Sequence, residues 1–385
     1  MIDLVAWVVM AAPALVTLIL AVELIAAQSR PRPPAATPGP AARITVLVPA
    51  HDEAAGIGET IADLRAGAPA GARLLVVADN CTDDTAAIGR AAGAEVVERN
   101  DTQNVGKGFA LAFGRDHLAS DPPDVVVIVD ADCTVAGGGI ARLAATALAT
   151  RRPVQSTYLM RPRTDRGALV AMSNFAFLIR NLVRQRGLAR LGAPALLTGA
   201  GMALPWGVMA DAPLATGDLV EDLALGIELS RRGSPPAFLP DAETWSEAAG
   251  RSDTHAQRLR WEQGTLRAAL REAPSLMRAG RWPLFWLGLH LLVPPLALLA
   301  AIDTVALGLL GSLACLGATA LPLCLLSMLM IVMLAMLMLS WVRFGRAQIT
   351  AVQLLIMPFY ILWKVPIYAL GLVRPERRWI RTGRD

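Results

Sequence analysis

Hydrophobic and polar positions follow three rhythms along this chain. Residues 4 to 27 are almost continuously apolar. As a helix rising about 1.5 Å per residue, that length crosses a hydrocarbon core of about 30 Å. A cleaved signal peptide is the rival, weakened by the absence of a basic start, since Asp3 is the one early charge. Residues 31 to 40, rich in Pro and Ala, predict a linker. Residue 44 opens the second rhythm. Ile44 to Val48, Leu74 to Ala78, Val96 with Val97, and Val125 to Val129 are short β-branched or apolar runs. Ala-rich helical stretches separate them near 56 to 66, 84 to 92 and 107 to 119. Buried strands alternating with helices predict βαβ units and parallel pairing.

The third rhythm fills the C-terminal part. Residues 255 to 282 set Arg258, Arg260, Arg267 and Arg271 among Leu and Trp, predicting an amphipathic helix at a membrane interface. Residues 284 to 341 hold one acid, Asp303, and predict two spans, one to about 308 and one from about 314. The stretch 348 to 371 contains Pro358, Lys364 and Pro366 and precedes a basic tail. A span there would carry Arg374 to Arg384 to the outer side, against the positive-inside rule, so an interfacial or re-entrant segment is expected. The divisions are then a transmembrane helix over 1–30, a linker over 31–42, an α/β domain over 43–254, an interface helix over 255–282, two transmembrane helices over 283–342, and an interfacial or re-entrant helix with basic tail over 343–385.

Composition supports this segregation. The chain is 54% hydrophobic and 18% charged, too apolar for a wholly soluble protein and too charged for a wholly membranous one. Its net charge of +4 does not point to nucleic acid. Such binding needs basic residues clustered on one face, whereas here Arg30, Arg32, Arg278, Arg281, Arg343, Arg346, Arg374, Arg377 and Arg378 flank apolar segments. That is the pattern of cytoplasmic flanks facing anionic lipid. Arg30 and Arg32 follow the first span and place the α/β domain in the cytoplasm. The cysteines, Cys81, Cys133, Cys315 and Cys324, show no metal-ligand spacing and suggest no disulfide framework.

Candidate chemistry gathers after the strands, where α/β sheets bind ligands. His51, Asp52 and Glu53 follow the first and Asp79 the second. Asp130-Ala-Asp132 follows the fourth; two carboxylates at that spacing can share one hard divalent cation, although many such turns hold none. The loop from Asp79 to Thr85 has an alternative explanation as a helix cap through Thr82 or Asp83, which leaves Asp79 unexplained. Gly106-Lys107-Gly108 opens a helix, where backbone donors and an ammonium can receive an anion. Glu221-Asp222 precedes Leu223, Leu225, Ile227 and Leu229, so these acids sit near a helix start, favoured by the dipole with or without chemistry. A carboxylate there also suits a general base. Gln257, Arg260 and Trp261 share one helical face at i, i+3 and i+4. An interface helix has the same Arg and Trp as its ordinary belt.

In this order and spacing the pieces resemble the family 2 glycosyltransferases, and among them the membrane-integrated branch of cellulose, chitin and hyaluronan synthases. The similarity runs over residues 44 to 265, from Val-Pro-Ala-His-Asp-Glu at 48 to 53 to the Gln-x-x-Arg-Trp of Gln257, Arg260 and Trp261. It implies an α/β fold with a GT-A-like, Rossmann-type mixed sheet, plus transmembrane and interfacial helices. It implies a nucleotide-sugar donor, probed by Asp79, Glu53, Lys107, Asp130, Gln257 and Arg260. Asp130 and Asp132 would hold Mg²⁺ or Mn²⁺, and Asp222, of the Thr-Glu-Asp motif, would be the base. Trp261, Glu221 and Gly199, the last in Thr198-Gly-Ala-Gly201, would border a glycan or lipid acceptor. Trp379, Thr382 and Arg384 resemble a gating loop. Val220 stands where the family has Thr, and Asn80 where a second acid is common. Ceramide glucosyltransferases carry a related Arg-Trp motif, so a glycolipid-forming enzyme is the alternative. Outside enzymes, a transporter has too few spans with buried charge, and an inactive sugar-nucleotide sensor would bind without turnover. The expected place is the inner membrane, multi-pass, with the catalytic domain cytoplasmic. Protein partners are unknown from sequence.

Overall fold

The computed structural model describes residues 1–29, 42–162, 167–217, 220–247, 251–356 and 359, with side chains of 251–263 left aside. The chain forms two compact units. One comprises residues 31–161 and 194–247, the other residues 1–30, 162–193 and 248–385.

The first unit is built on eight strands: β1 (Ile44–Ala50), β2 (Arg73–Asp79), β3 (Glu95–Arg99), β4 (Val125–Ile128), β5 (Cys133–Val135), β6 (Val154–Met160), β7 (Met202–Pro205) and β8 (Ala237–Ser246). Their order is β3-β2-β1-β4-β7-β6-β8-β5. β1 pairs in parallel with β2 on one side and β4 on the other. β7 pairs antiparallel with β4 and β6, so the sheet is mixed. The central strands read as unbroken apolar runs because helices cover both faces. Val46, Leu47, Val76, Val77, Val126 and Val127 have at most 1% of their surface exposed. Helix Lys107–Leu118 and helix Glu221–Arg231 contribute Leu111, Leu118, Leu225 and Leu229 to one core with Leu47, Leu75 and Ile128. Between β1 and β4 the strand order turns back on itself, and there the carboxyl ends open a crevice.

The second unit is helical. Helices Ile2–Ala27, Leu296–Cys315 and Leu321–Ser340 are long and apolar enough to cross a membrane. Sequence rhythm places the first of the two C-terminal spans from 284 to about 308. The structure instead has a separate helix, Trp282–Leu292, and starts the next long apolar helix at Leu296. Pro294 and Pro295 explain the break: proline lacks an N–H and pushes the preceding residue out of helical geometry. That helix reaches Cys315, and the next begins at Leu321. Residues 162–193 group with this unit, although sequence places them inside 43–254. Helix Ala168–Leu178, a π-helical stretch Ile179–Arg184 and helix Gln185–Leu191 run through them. The amphipathic pattern at 255 to 282 becomes helix Arg251–Met277. Of the segment 348 to 371, helix Ala351–Leu354 is described, with most of the rest outside the described residues.

These three apolar helices pack in alternating directions. Thr17 Oγ1 donates to Asp303 Oδ2 at 2.8 Å in their middle. At one end the Thr319 N–H donates to Asp3 Oδ1 at 2.7 Å. At the other, Gln28 Nε2 donates to Ser340 Oγ at 3.1 Å and Arg343 Nη1 to Gln28 O at 2.7 Å.

Candidate active site

Loops after β1 and β2 are stitched together. Thr82 N donates to Asp52 Oδ1 at 2.6 Å, Glu53 N to Thr85 Oγ1 at 2.7 Å, and Ala54 N to Asp83 Oδ2 at 3.1 Å. The Thr82 backbone donor, against some burial, holds the Asp52 carboxyl below its ordinary range. Asp83 also accepts from Thr85 N at 3.0 Å, but the N-cap of helix Thr85–Ala91 is Asp84, with no side-chain cap bond, so neither Thr82 nor Asp83 caps it. Asp79 ends β2, 6% exposed. Its Oδ1 accepts from Arg99 Nη1 at 2.6 Å and from Asn80 Nδ2 at 3.1 Å. Asn80 in turn accepts from Asp101 N at 2.8 Å. An amide here both donates and accepts, which a second acid would not do.

One strand over, past β1, four carboxylates gather around one ammonium. Lys107 opens its helix and bonds Asp130, and its Nζ donates to Gly199 O at 2.9 Å. Glu221 and Asp222 start helix Glu221–Arg231 and act on Lys107 through space. Asp132 acts on Asp130. Gly199 is the pivot, with φ +87°, where a side chain would be strained. A Cβ there would lie 3.1 Å from Lys107 Nζ, 3.4 Å from Asp222 Oδ2 and 3.9 Å from Asp130 Oδ2. Gly108 is equally constrained, because a Cβ would strike the backbone of Leu214 and Thr216. Lys107, Gly108, Gly199, Pro213, Glu221 and Asp222 line one small cleft with neighbouring apolar side chains.

Electrostatics follow from this crowding. Burial opposes the charge on Lys107, but Asp130, Glu221 and Asp222 outweigh it and raise its pKa. Burial pushes the Asp130 carboxyl up, with Lys107 pulling it back and Asp132 pushing it further. Burial first, then the Asp222 charge, lifts Glu221 to about 7. Among the described residues, four acids against one base leave the site short of positive charge.

Asp130, Asp132 and Cys133 bring one donor atom each within 4.8 Å of one another. The carboxylate oxygens fit a hard divalent cation. Asp132 Oδ2 accepts from Ser246 Oγ at 3.0 Å, and Cys133 Sγ lies 3.5 Å from Asp132 Oδ1. Burial raises the Cys133 thiol well above its ordinary value, so it is a buried neighbour rather than a thiolate. Ser246 and Arg99 went unnoticed in the sequence, and Cys133, read there as lacking metal-ligand spacing, lies beside the two carboxylates. Ser246 and Arg99 act through partners far along the chain, and only the register of β8 against β5 brings Ser246 beside Asp132.

Structure thus gathers Lys107, Asp130, Glu221, Asp222 and Gly199, with Asp132 alongside, and puts Asp79 at the end of β2 and Glu53 on the loop after β1. Gln257, Arg260 and Trp261 fall within helix Arg251–Met277, but their side chains lie outside the described residues. Trp379, Thr382 and Arg384 also lie outside them.

A strand-crevice site of this kind, on a mixed sheet, defines a class. Residues 40–264 match the model of the family described as glycosyltransferase like family 2, and the chain belongs to that family. Uncharacterised glycosyltransferases Rv0539 of Mycobacterium tuberculosis and Mb0553 of Mycobacterium bovis are 36% identical to it over 102 residues, 26% of this chain. The chain spans 42% of the length of those relatives. Its fold is similar to that of mannosyltransferase PcManGT from Pyrobaculum calidifontis, with TM-score 0.59 and 18% identity, covering 95% of this chain and 100% of the other. The fold is GT-A-like, as the resemblance implies.

Proposed function

We propose that the chain is a metal-dependent inverting glycosyltransferase of the membrane-integrated kind, moving a sugar from a nucleotide-sugar to a polysaccharide or lipid-linked acceptor at the cytoplasmic face. The observation that carries this is the convergence of Lys107, Asp130 and Asp222 on Gly199.

Asp130 and Asp132 would hold Mg²⁺ or Mn²⁺, which when bound neutralises a donor diphosphate. PcManGT was solved with GDP-Man and Mn²⁺, in keeping with this choice of ion. In the proposed step the acceptor hydroxyl oxygen bonds the anomeric carbon as the bond to the diphosphate oxygen breaks. Asp222 takes the hydroxyl proton, and the nucleoside diphosphate leaves with the bonding pair. Helix start Glu221–Asp222 orients this base, because Asp222 Oδ1 accepts from Leu223 N at 2.7 Å. Lys107 faces the same cleft with a retained positive charge, suited to a phosphate at the start of its helix. Glu53 and Asp79 would face the nucleoside. Gln257 and Arg260 would meet the leaving diphosphate, with Trp261, Glu221 and Gly199 toward the acceptor and Trp379, Thr382 and Arg384 as a gate. A glycolipid-forming enzyme remains the alternative for the acceptor.

The cytoplasmic orientation has its own support. Gln28, Ser340 and Arg343 meet at one end of the bundle, so Arg343 and Arg346 follow a helix end on the side where the first helix ends. Positive residues select the cytoplasm. Its basic flanks and apolar spans make the inner membrane, multi-pass, the proposed place.

The test is nucleoside diphosphate release by full-length protein in nanodiscs, with Mg²⁺ or Mn²⁺ and a panel of UDP- and GDP-sugars. Release from one donor, falling about 10²- to 10⁴-fold in Asp222→Asn, is the expected result. Normal turnover in Asp222→Asn would sink the base assignment. Donor binding without release in the presence of candidate acceptors would favour a sensor.

A further inference from the structure

Helix Trp282–Leu292 is apolar along its length yet has 11 residues. At about 1.5 Å per residue it falls far short of a core about 30 Å thick. Leu284, Trp286, Leu287 and Leu291 are buried. Trp282 and Phe285 are not: they are 55% and 36% exposed, their rings stacked 6.0 Å apart. Trp282 is also anchored, since its Nε1 donates to Leu191 O at 2.9 Å. The indole N–H is therefore spent within the chain, and what the ring offers outward is apolar carbon. Arg190, Arg278 and Arg281 are exposed beside it in sequence or through that bond.

Position supplies the occupant. Three residues, 293–295, join this helix to the start of span Leu296–Cys315. The far end of that span leads to Thr319, which bonds Asp3. The Leu296 end therefore lies at the opposite side of the bundle, with Gln28, Ser340 and Arg343. Aromatic rings beside arginines, at the basic end of a spanning bundle, match the headgroup layer of an anionic leaflet. An acidic protein surface would match the arginines but would leave the apolar face of the rings unused.

We infer that Trp282 and Phe285, with Arg190, Arg278 and Arg281, form a seat for an anionic bilayer surface. The rings enter the boundary between headgroups and acyl chains, and the guanidinium groups meet headgroup phosphates. This rests on the membrane-associated reading above but not on any catalytic role.

Full-length protein in nanodiscs tests it. Tryptophan emission is compared between wild type and Trp282→Tyr, with lipids brominated close to the headgroup. The difference isolates Trp282, whose emission is expected to be quenched. Phe285→Trp, at an exposed position, gives an independent reporter that must be quenched too. Enrichment of phosphatidylglycerol over phosphatidylcholine around the protein is then measured in Arg190→Gln/Arg278→Gln/Arg281→Gln. Loss of about fivefold per arginine is expected. Unquenched emission at 282 and 285 overturns the seat. Quenching with unchanged lipid preference in the triple variant overturns its anionic character. Nucleoside diphosphate release in the same discs separates the failures: a lost seat with intact release sinks this inference alone, and a quenched seat without release sinks the catalytic reading alone.

Discussion

The cluster around Lys107 and the cluster around Glu23 both bury charge, and they are built to opposite ends. Glu23 Oε2 accepts from Arg184 Nε at 2.6 Å, and Oε1 lies 2.8 Å from His290 Nδ1. Arg184 Nη2 also donates to His290 O at 3.0 Å. Glu23 is fully buried, with the other two nearly so, and one acid answers one arginine. At Lys107, among the described residues, four acids answer one base, a glycine keeps the space open, and a cleft reaches the group. The first cluster is closed upon itself and joins helix Ile2–Ala27, the π-helical stretch Ile179–Arg184 and helix Trp282–Leu292. Among the described residues the second is left short of positive charge, which a divalent cation can supply.

Breaking the closed cluster is expected to have the largest effect. Glu23→Gln leaves the Arg184 guanidinium buried without its counter-charge, at a cost of about 3–5 kcal/mol. Thermal unfolding in detergent should show a large fall in midpoint. Glu23→Gln/Arg184→Met should recover much of it, because removing both partners leaves no lone charge. If Glu23→Gln melts like wild type, the triad is not a structural pin and the contrast fails.

Gly199→Ala probes the open cluster from within. Its φ of +87° costs an alanine about 1 kcal/mol, and the new Cβ meets Lys107 Nζ. Displacing Lys107 and Asp222 by a few tenths of an ångström to about 1 Å should lower sugar transfer by about 10²-fold while the protein stays folded. Steady-state kinetics beside a melting curve decides it. Equal loss of activity in Gly207→Ala, where a Cβ meets nothing, would show that the effect is not local.

The two clusters also differed in how far sequence revealed them. Asp130, Asp132, Lys107 and Asp222 stood out because strand ends and helix starts are local signals, readable from β-branched runs and the glycines around Lys107. Parallel β1, β2 and β4 were visible for the same reason. The strands β6, β7 and β8 were not, since Gln155, Ser156 and Thr157 interrupt one apolar run and Pro240 another. Their placement depends on pairing across long sequence separations, and so does Ser246 beside Asp132. The Glu23 triad joins residues more than 100 positions apart, and no spacing rule predicts it. The span boundary at Leu296 was legible in Pro294-Pro295 but hidden by uniform hydropathy on both sides.

Titration of Glu221 gives the smallest and most selective test of the open cluster. Burial and Asp222 raise this carboxyl from its ordinary 4.5 to about 7. The folded protein therefore binds this proton more tightly than the unfolded chain does. Stability on this account is complete below pH 4.5 and declines as pH rises toward 7, where the charged form is forced into the cluster. Glu221→Gln removes the penalty without changing shape. It should stabilise the protein at pH 8 by on the order of 1 kcal/mol and do nothing at the acid end of the window. Melting midpoints of both proteins across that range measure the difference. A pH-independent gap would mean that the glutamine acts through packing, and an inverted one would mean that Lys107 answers Glu221 rather than Asp130. The closed cluster offers no such handle, because its acid already has its arginine and neutralising it can only take stability away.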